Sequence, residues 1–106
     1  MSLILKTVLM VTVSNEAPRC FHVDGDLIRI GRSKHNHLQI DNPALSNTHC
    51  EFVKGADSSQ WIFRDLGSTN GSQINGMAVG WDALLIQYGD EVILGKAVTL
   101  NILTVE

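Results

Sequence analysis

The chain has 106 residues, 44% of them hydrophobic, and its eight Lys and Arg against eleven Asp and Glu leave a formal net charge of −3. That length suits one domain burying roughly two-thirds of the surface its unfolded chain exposes, so neither disulfides nor a metal are needed for folding. The mildly acidic balance argues against a general nucleic-acid binder, no apolar run approaches the roughly 20 residues that cross a bilayer, and the start lacks a basic segment followed by a cleavable apolar core.

From Leu5 to Val13 the chain is rich in Val, Leu, Met and Thr with imperfect alternation, which predicts a strand with one well-buried face. Ser14 to Pro18 breaks it. Arg19 to Val23 reads as a second strand, Asp24-Gly25-Asp26 as a turn and Leu27 to Ile30 as a third strand, together an opening meander. Gly31 then turns the chain into a loop, Arg32 to His37, that holds no acid and is locally positive on an acidic chain. His37 to Ile40 predicts a short strand before the turn-prone Asp41-Asn42-Pro43.

His49 to Lys54 and Gln60 to Leu66 predict two longer strands joined by the polar loop Gly55 to Ser59. Asn75-Gly76, the strongest two-residue hairpin signal, separates the short strands Ser72 to Ile74 and Met77 to Val79. Trp81 to Gly89 is apolar without clear alternation and its pattern assigns no element. Glu91 to Leu94 and Val98 to Val105 close the chain as strands across Gly95-Lys96. Short strands at regular intervals without a sustained helical period indicate an all-β sandwich or barrel. Phe21, Phe52, Trp61, Phe63 and Leu66 are expected in its core, with Met77 and Trp81 on a contact surface. The two cysteines, Cys20 and Cys50, form no framework and are expected as reduced, partly buried thiols, in keeping with a cytoplasmic location.

Three clusters between the strands carry chemistry: Gly31-Arg32, Ser46-Asn47-Thr48-His49 and Ser68-Thr69-Asn70-Gly71. Arg32 offers a planar fork of donors suited to two phosphate oxygens. Ser46 and Thr69 offer hydroxyls, and Asn70 offers a donor and an acceptor for a peptide backbone. His35-x-His37 with His22 or Cys50 lacks further ligands at metal spacing, so no metal is expected. With no Cys, His and acid set, no tasked pair of carboxylates and no P-loop, neither an enzyme nor a cofactor is expected.

The order and spacing of Ile30-Gly31-Arg32-Ser33, Ser46-x-x-His49, Asp65-Leu66-Gly67-Ser68-Thr69-Asn70-Gly71, Asn75-Gly76 and the closing strands around Gly89-Asp90-Glu91 resemble the forkhead-associated (FHA) domain over nearly the whole chain. The resemblance implies a two-sheet β-sandwich of about eleven strands with binding loops at one end. It makes residues 1–106 a single domain, expected to be a monomeric module of a longer protein. It also implies non-catalytic recognition of phosphothreonine in partner proteins, with no nucleic acid and no direct membrane contact.

By the same resemblance Arg32, Ser46, Asn47 and Thr69 contact the phosphate and Asn70 holds the ligand backbone. Gly31, His49 and Gly71 support the loops, Asp65 pins the turn after it, and Lys34 adds long-range attraction. Relatives often select the third residue after the phosphothreonine through side chains before the Ser46 position. The uncharged Ala44 and Leu45 there predict a weakly selective or apolar preference. The same fold suggests a second reading, a phosphorylation-independent assembly domain like the FHA-like domains in the cytoplasmic part of type III secretion inner-membrane ring proteins. The presence of Arg32, Ser46 and Asn70 together favours the first.

Overall fold

The computed structural model describes residues 6–55 and 60–105, and its regular elements are eleven strands with no helix among the described residues. They are β1 (Lys6–Val13), β2 (Arg19–His22), β3 (Leu27–Gly31), β4 (Leu38–Gln39), β5 (Cys50–Lys54), β6 (Trp61–Asp65), β7 (Ser72–Ile74), β8 (Met77–Ala78), β9 (Leu84–Ile86), β10 (Glu91–Leu94) and β11 (Val98–Val105). One sheet has the order β2-β1-β11-β10-β7-β8 and the other β4-β3-β5-β6-β9. The predicted loop residues 56–59 and Leu5 lie outside the described residues.

Alternation explains how the two sheets stack. From the six-stranded sheet, Leu9, Val11, Val92, Leu94, Leu100 and Ile102 are buried; from the five-stranded sheet, Ile28, Ile30, Phe52, Trp61 and Phe63 meet them. Phe52 and Phe63 lie opposite each other across β5 and β6, their rings edge to face with centroids 5.2 Å apart. The long pairing of β1 with β11, from Lys6 opposite Val105 to Val13 opposite Val98, joins the beginning and end of the described chain. At the hairpin between β7 and β8, Asn75 (φ 50°) and Gly76 (φ 85°) take the left-handed backbone that a tight turn of this kind requires.

Several expectations change. The opening strands do not form a meander: β2 pairs with β1, but β3 belongs to the other sheet. Val23 N–H still donates to the Thr7 carbonyl (3.0 Å), after which the Asp24–Asp26 turn crosses between layers and Lys54 N–H bonds the Asp26 carbonyl (2.8 Å). Burial alternation looks the same for a strand facing the core from either layer, so it gave no sign of the crossing. The strand expected from His37 shortens to Leu38–Gln39, pairing in parallel with β3, because His37 turns its Nδ1 to accept the Arg29 N–H (2.9 Å). The unassigned stretch from Trp81 supplies β9, which pairs with β6. Phe21 and Leu66 are half-buried at the edge of the core rather than within it.

The two thiols also differ from each other. Cys20 is exposed and Cys50 is fully buried, and both are free. Burial pushes the Cys50 thiol well above its ordinary pKa, and the nearby Asp65 and Glu51 carboxylates push it the same way. Thiolate is the reactive form, so a disulfide-exchange reagent is expected to titrate one thiol in the native protein and the second only after denaturation. Cys20→Ser should remove the fast phase entirely; two equally fast thiols in the native protein would contradict the burial of Cys50.

Candidate functional site

Four connections gather at one end of the sandwich: those after β3, before β5, between β6 and β7, and between β10 and β11. The first two are stitched by backbone hydrogen bonds, His49 N–H to the Ile30 carbonyl (2.8 Å), Arg32 N–H to the Ser46 carbonyl (2.9 Å) and Ser33 N–H to the Asn47 carbonyl (3.1 Å). Such close approach explains Gly31, where a Cβ would run into the Asn47 carbonyl oxygen and lie 2.8 Å from its carbon. The Asn36 amide reinforces the seam, donating to the Ser33 carbonyl (2.7 Å) and the Asn47 carbonyl (2.6 Å).

His49 has no exposed surface and connects two of these loops. Its Nδ1 accepts the Ser46 N–H (3.2 Å), which makes Nε2 the protonated nitrogen, and Nε2 donates to the Gly71 carbonyl (2.9 Å). The same carbonyl accepts the Gly95 N–H (2.9 Å), bringing in the turn between β10 and β11.

Asp65, at the end of β6, closes the loop that follows it. Its carboxylate accepts from the Ser68 N–H (2.8 Å), the Ser68 hydroxyl (2.6 Å) and the Ser72 hydroxyl (2.6 Å), while Ser68 Oγ accepts the Gly71 N–H (3.0 Å). Gly71 takes a φ of 80°, which glycine adopts without strain. Burial alone would raise the Asp65 pKa, but the two hydroxyls, the Ser68 N–H and His49 outweigh it and hold the carboxyl below the ordinary 3.8.

On this frame Arg32, Ser46, Thr69 and Asn70 line one cleft of about 160 Å³, together with Pro43, Ala44 and Leu45. Ser46 Oγ accepts the Thr69 N–H (2.9 Å), holding the two hydroxyl residues together, and Asn70 uses one N–H on the Ala44 carbonyl (2.9 Å). Asn47 stands behind Arg32, its Oδ1 accepting from Nη2 (3.3 Å), and does not line the cleft. Lys34, two residues beyond Arg32 in the same connection, is exposed and also lies outside the lining. A guanidinium, two hydroxyls and a carboxamide around so small a space can replace several water hydrogen bonds of a tetrahedral anion. Among the described residues no acid lines the cleft. Among the described residues no three His, Cys, Asp or Glu side chains are grouped to hold a metal.

A second cleft of about 300 Å³ shares Asn70 and is lined on its other side by Gln73, Ile93 and Lys96. Lys96 was not among the expected site residues. It adopts a φ of 58°, uncommon for a residue with a side chain, in a turn whose Gly95 fits so closely that a Cβ would lie 2.5 Å from the Ala44 carbonyl oxygen. That non-local fit places it, and the dipeptide Gly95-Lys96 read by itself gives only a turn.

The family model of the FHA domain matches residues 28–95. An FHA domain-containing protein of Arabidopsis thaliana is 32% identical over 74 residues, 68% of this chain and 19% of that protein, so the chain spans only about a fifth of that relative's length. Among solved structures, the FHA domain of the CT664 protein from Chlamydia trachomatis superposes with a TM-score of 0.83 at 20% identity, covering 95% of this chain and 99% of that one. A domain from a study of phosphothreonine-dependent FHA interactions gives a TM-score of 0.76 at 19% identity, covering 93% and 98%. At those identities the two structures speak for the fold alone.

Two outcomes test the frame beneath the cleft. Because the folded-state pKa of Asp65 is depressed, its stabilisation is present above the unfolded value near pH 4 and is lost as pH falls through the folded value. Unfolding free energies from urea titrations are therefore expected to fall for the parent protein as the pH drops below about 4. Asp65→Asn should be less stable at neutral pH and less pH-dependent over the same window, and parallel profiles would count against this account. His49→Ala removes two hydrogen bonds, leaves the Ser46 N–H without its acceptor and empties a fully buried site, and should cost about 2 kcal/mol or more, lowering the melting temperature by on the order of 10 °C. An unchanged melting temperature would remove His49 from the frame.

Proposed function

The chain belongs to the FHA domain family, and from that membership we propose that it is a non-catalytic module that binds phosphothreonine in partner proteins. The observation that carries the reading is the convergence of Arg32, Ser46, Thr69 and Asn70, from three separate connections, on one small cleft without an acid. A phosphothreonine near neutral pH carries close to two negative charges on three acceptor oxygens, and shedding its water requires several donors at once. In this reading the Arg32 guanidinium supplies a charge-assisted pair and the Ser46 and Thr69 hydroxyls supply further donors. Asn47 steadies Arg32 through its 3.3 Å hydrogen bond, and Lys34 adds attraction at longer range.

Asn70, standing between the two clefts, bonds the peptide backbone and makes the ligand a peptide rather than free phosphate. A solved structural neighbour of this chain comes from work on phosphothreonine-dependent FHA interactions, which supports the same ligand class here. The lining contains no His, Cys, Asp or Glu to act as nucleophile or base, which fits retention of the phosphate rather than hydrolysis. Lys96 changes the expected flanking preference: as the charged residue of the adjoining cleft it favours an acidic neighbour of the phosphothreonine over an apolar one. In this reading the partners are substrates of a Ser/Thr kinase, and we propose that the module acts in the cytoplasm as a monomer.

The test is an oriented phosphothreonine peptide library read against phosphoserine and unphosphorylated controls, followed by titration calorimetry. Arg32→Ala should cost roughly 2–5 kcal/mol of binding, at least about 30-fold in affinity, and Ser46→Ala about 1–3 kcal/mol. Loss of the threonine methyl in phosphoserine should cost roughly 1 kcal/mol. Affinity should fall below about pH 6 as the phosphate takes up its second proton. Undiminished binding by Arg32→Ala would sink the proposed grip. No capture by a well-folded sample would turn the reading to a phosphorylation-independent assembly domain.

A further inference from the structure

Each sheet ends in two edges, and the two sides of the sandwich are finished differently. On one side the edge strands β2 and β4 are bridged by a hydrogen bond from Arg19 Nη2 to the Gln39 carbonyl (3.4 Å). On the other, β8 and β9 flank a groove of about 570 Å³ whose apolar wall is Ile74, Met77, Val79, Leu84 and Leu85. Edge strands are commonly guarded by charge or proline, yet neither β8 nor β9 contains either, and Met77 and Leu85 stand 74% and 53% exposed.

The charge of the groove selects its occupant. Its charged lining residues are Asp82 and Asp90. Asp90 is committed within the fold, accepting from Asn75 Nδ2 (3.0 Å) and the Gln87 N–H (2.9 Å). Asp82 is exposed and, among the described residues, forms no ion pair. Two copies of this chain meeting across a two-fold axis would set acid against acid on proteins already carrying a net charge of −3, which disfavours self-association. Ala78 and Val79 line both this groove and the cleft that contains Lys96, which in turn shares Asn70 with the cleft around Arg32.

We propose that the groove between β8 and β9 is a second docking site, for an extended apolar segment of a partner protein bearing a Lys or Arg that pairs with Asp82. The segment's backbone adds to the free edge of β9 while alternate side chains enter the groove beside Met77 and Leu85. Binding there needs neither phosphate nor Arg32, so it stands apart from the phosphothreonine reading.

The probe is a phage-displayed library of unphosphorylated dodecapeptides selected on the wild-type domain, with the enriched peptides synthesised and titrated. Enriched sequences should alternate Val, Ile or Leu with polar residues and include a Lys or Arg. Leu85→Lys, at an exposed position that leaves the core intact, should weaken them about tenfold or more, and Arg32→Ala should leave them unchanged. Asp82→Lys should weaken them about fivefold, with recovery when the peptide's basic residue is exchanged for Glu. No enrichment on folded protein, peptides indifferent to Leu85→Lys, or peptides lost with Arg32→Ala would each overturn the proposal. So would a concentration-dependent dimer in sedimentation equilibrium that Leu85→Lys abolishes, since the occupant would then be a second copy.

Discussion

The candidate site depends on a buried imidazole. His49 accepts the Ser46 N–H on one ring nitrogen and donates to the Gly71 carbonyl from the other, so the connection before β5 and the connection after β6 are held at the length of one side chain. The imidazole is not easily replaced by water at a site with no solvent exposure, and leaving the Ser46 N–H unpaired there would cost about 1–3 kcal/mol. Gly71 then passes the constraint on, because its carbonyl also accepts the Gly95 N–H and draws the turn between β10 and β11 into the same cluster. With Asp65 closing its own loop through Ser68 and Ser72, the exposed residues stand on loops fixed from below. Loops ordered before the ligand arrives need not lose that conformational freedom on binding.

That frame sets a carboxylate beneath a cleft proposed to hold an anion, an arrangement that looks unfavourable. Local hydrogen bonding resolves it. The Ser68 and Ser72 hydroxyls and the Ser68 N–H direct the positive ends of three dipoles at Asp65, stabilising its charge where it sits. The carboxylate thus organises the loop while Arg32 and the acid-free lining set the charge at the mouth. The half-exposed Arg29, 3.4 Å from the more covered Glu51 at the sheet surface, adds a single solvent-screened pair that contributes little beside this, about 1 kcal/mol or less.

Much of the molecule was legible in the sequence because its signals are local. Strands such as β5 and β6 announce themselves by alternation and aromatic content, Asn75-Gly76 dictates its own hairpin, and the three clusters around Arg32, Ser46 and Thr69 are short contiguous words. What escaped depends on approach between distant segments. β9 has three residues, two of them facing different environments, so its pairing with β6 decides its state rather than its pattern. The crossing of β3 to the second sheet was hidden because inward residues look alike from either layer. The part Asn47 plays in the frame is equally non-local: its carbonyl and Oδ1 accept from Ser33, Asn36 and Arg32, bonds that leave its own N–H groups, the donors expected at a phosphate, unused.

On the proposed reading, the position of Asn70 suits an extended ligand better than a compact one. It is shared by two clefts, one containing Arg32 and the other Lys96, and its amide is anchored to the Ala44 carbonyl that Gly95 also abuts. An isolated anion could engage one cleft and would gain nothing from the second. A chain laid across Asn70 engages both, and from the second cleft the surface continues past Ala78 and Val79 to the groove beside Asp82. Positive charge near the proposed phosphate cleft gives way to negative charge along this track, so on the proposed reading a partner is favoured when its own charge changes sign in the same direction. Opposed charges along the line of contact then fix the ligand's orientation, which a single strong phosphate contact does not do.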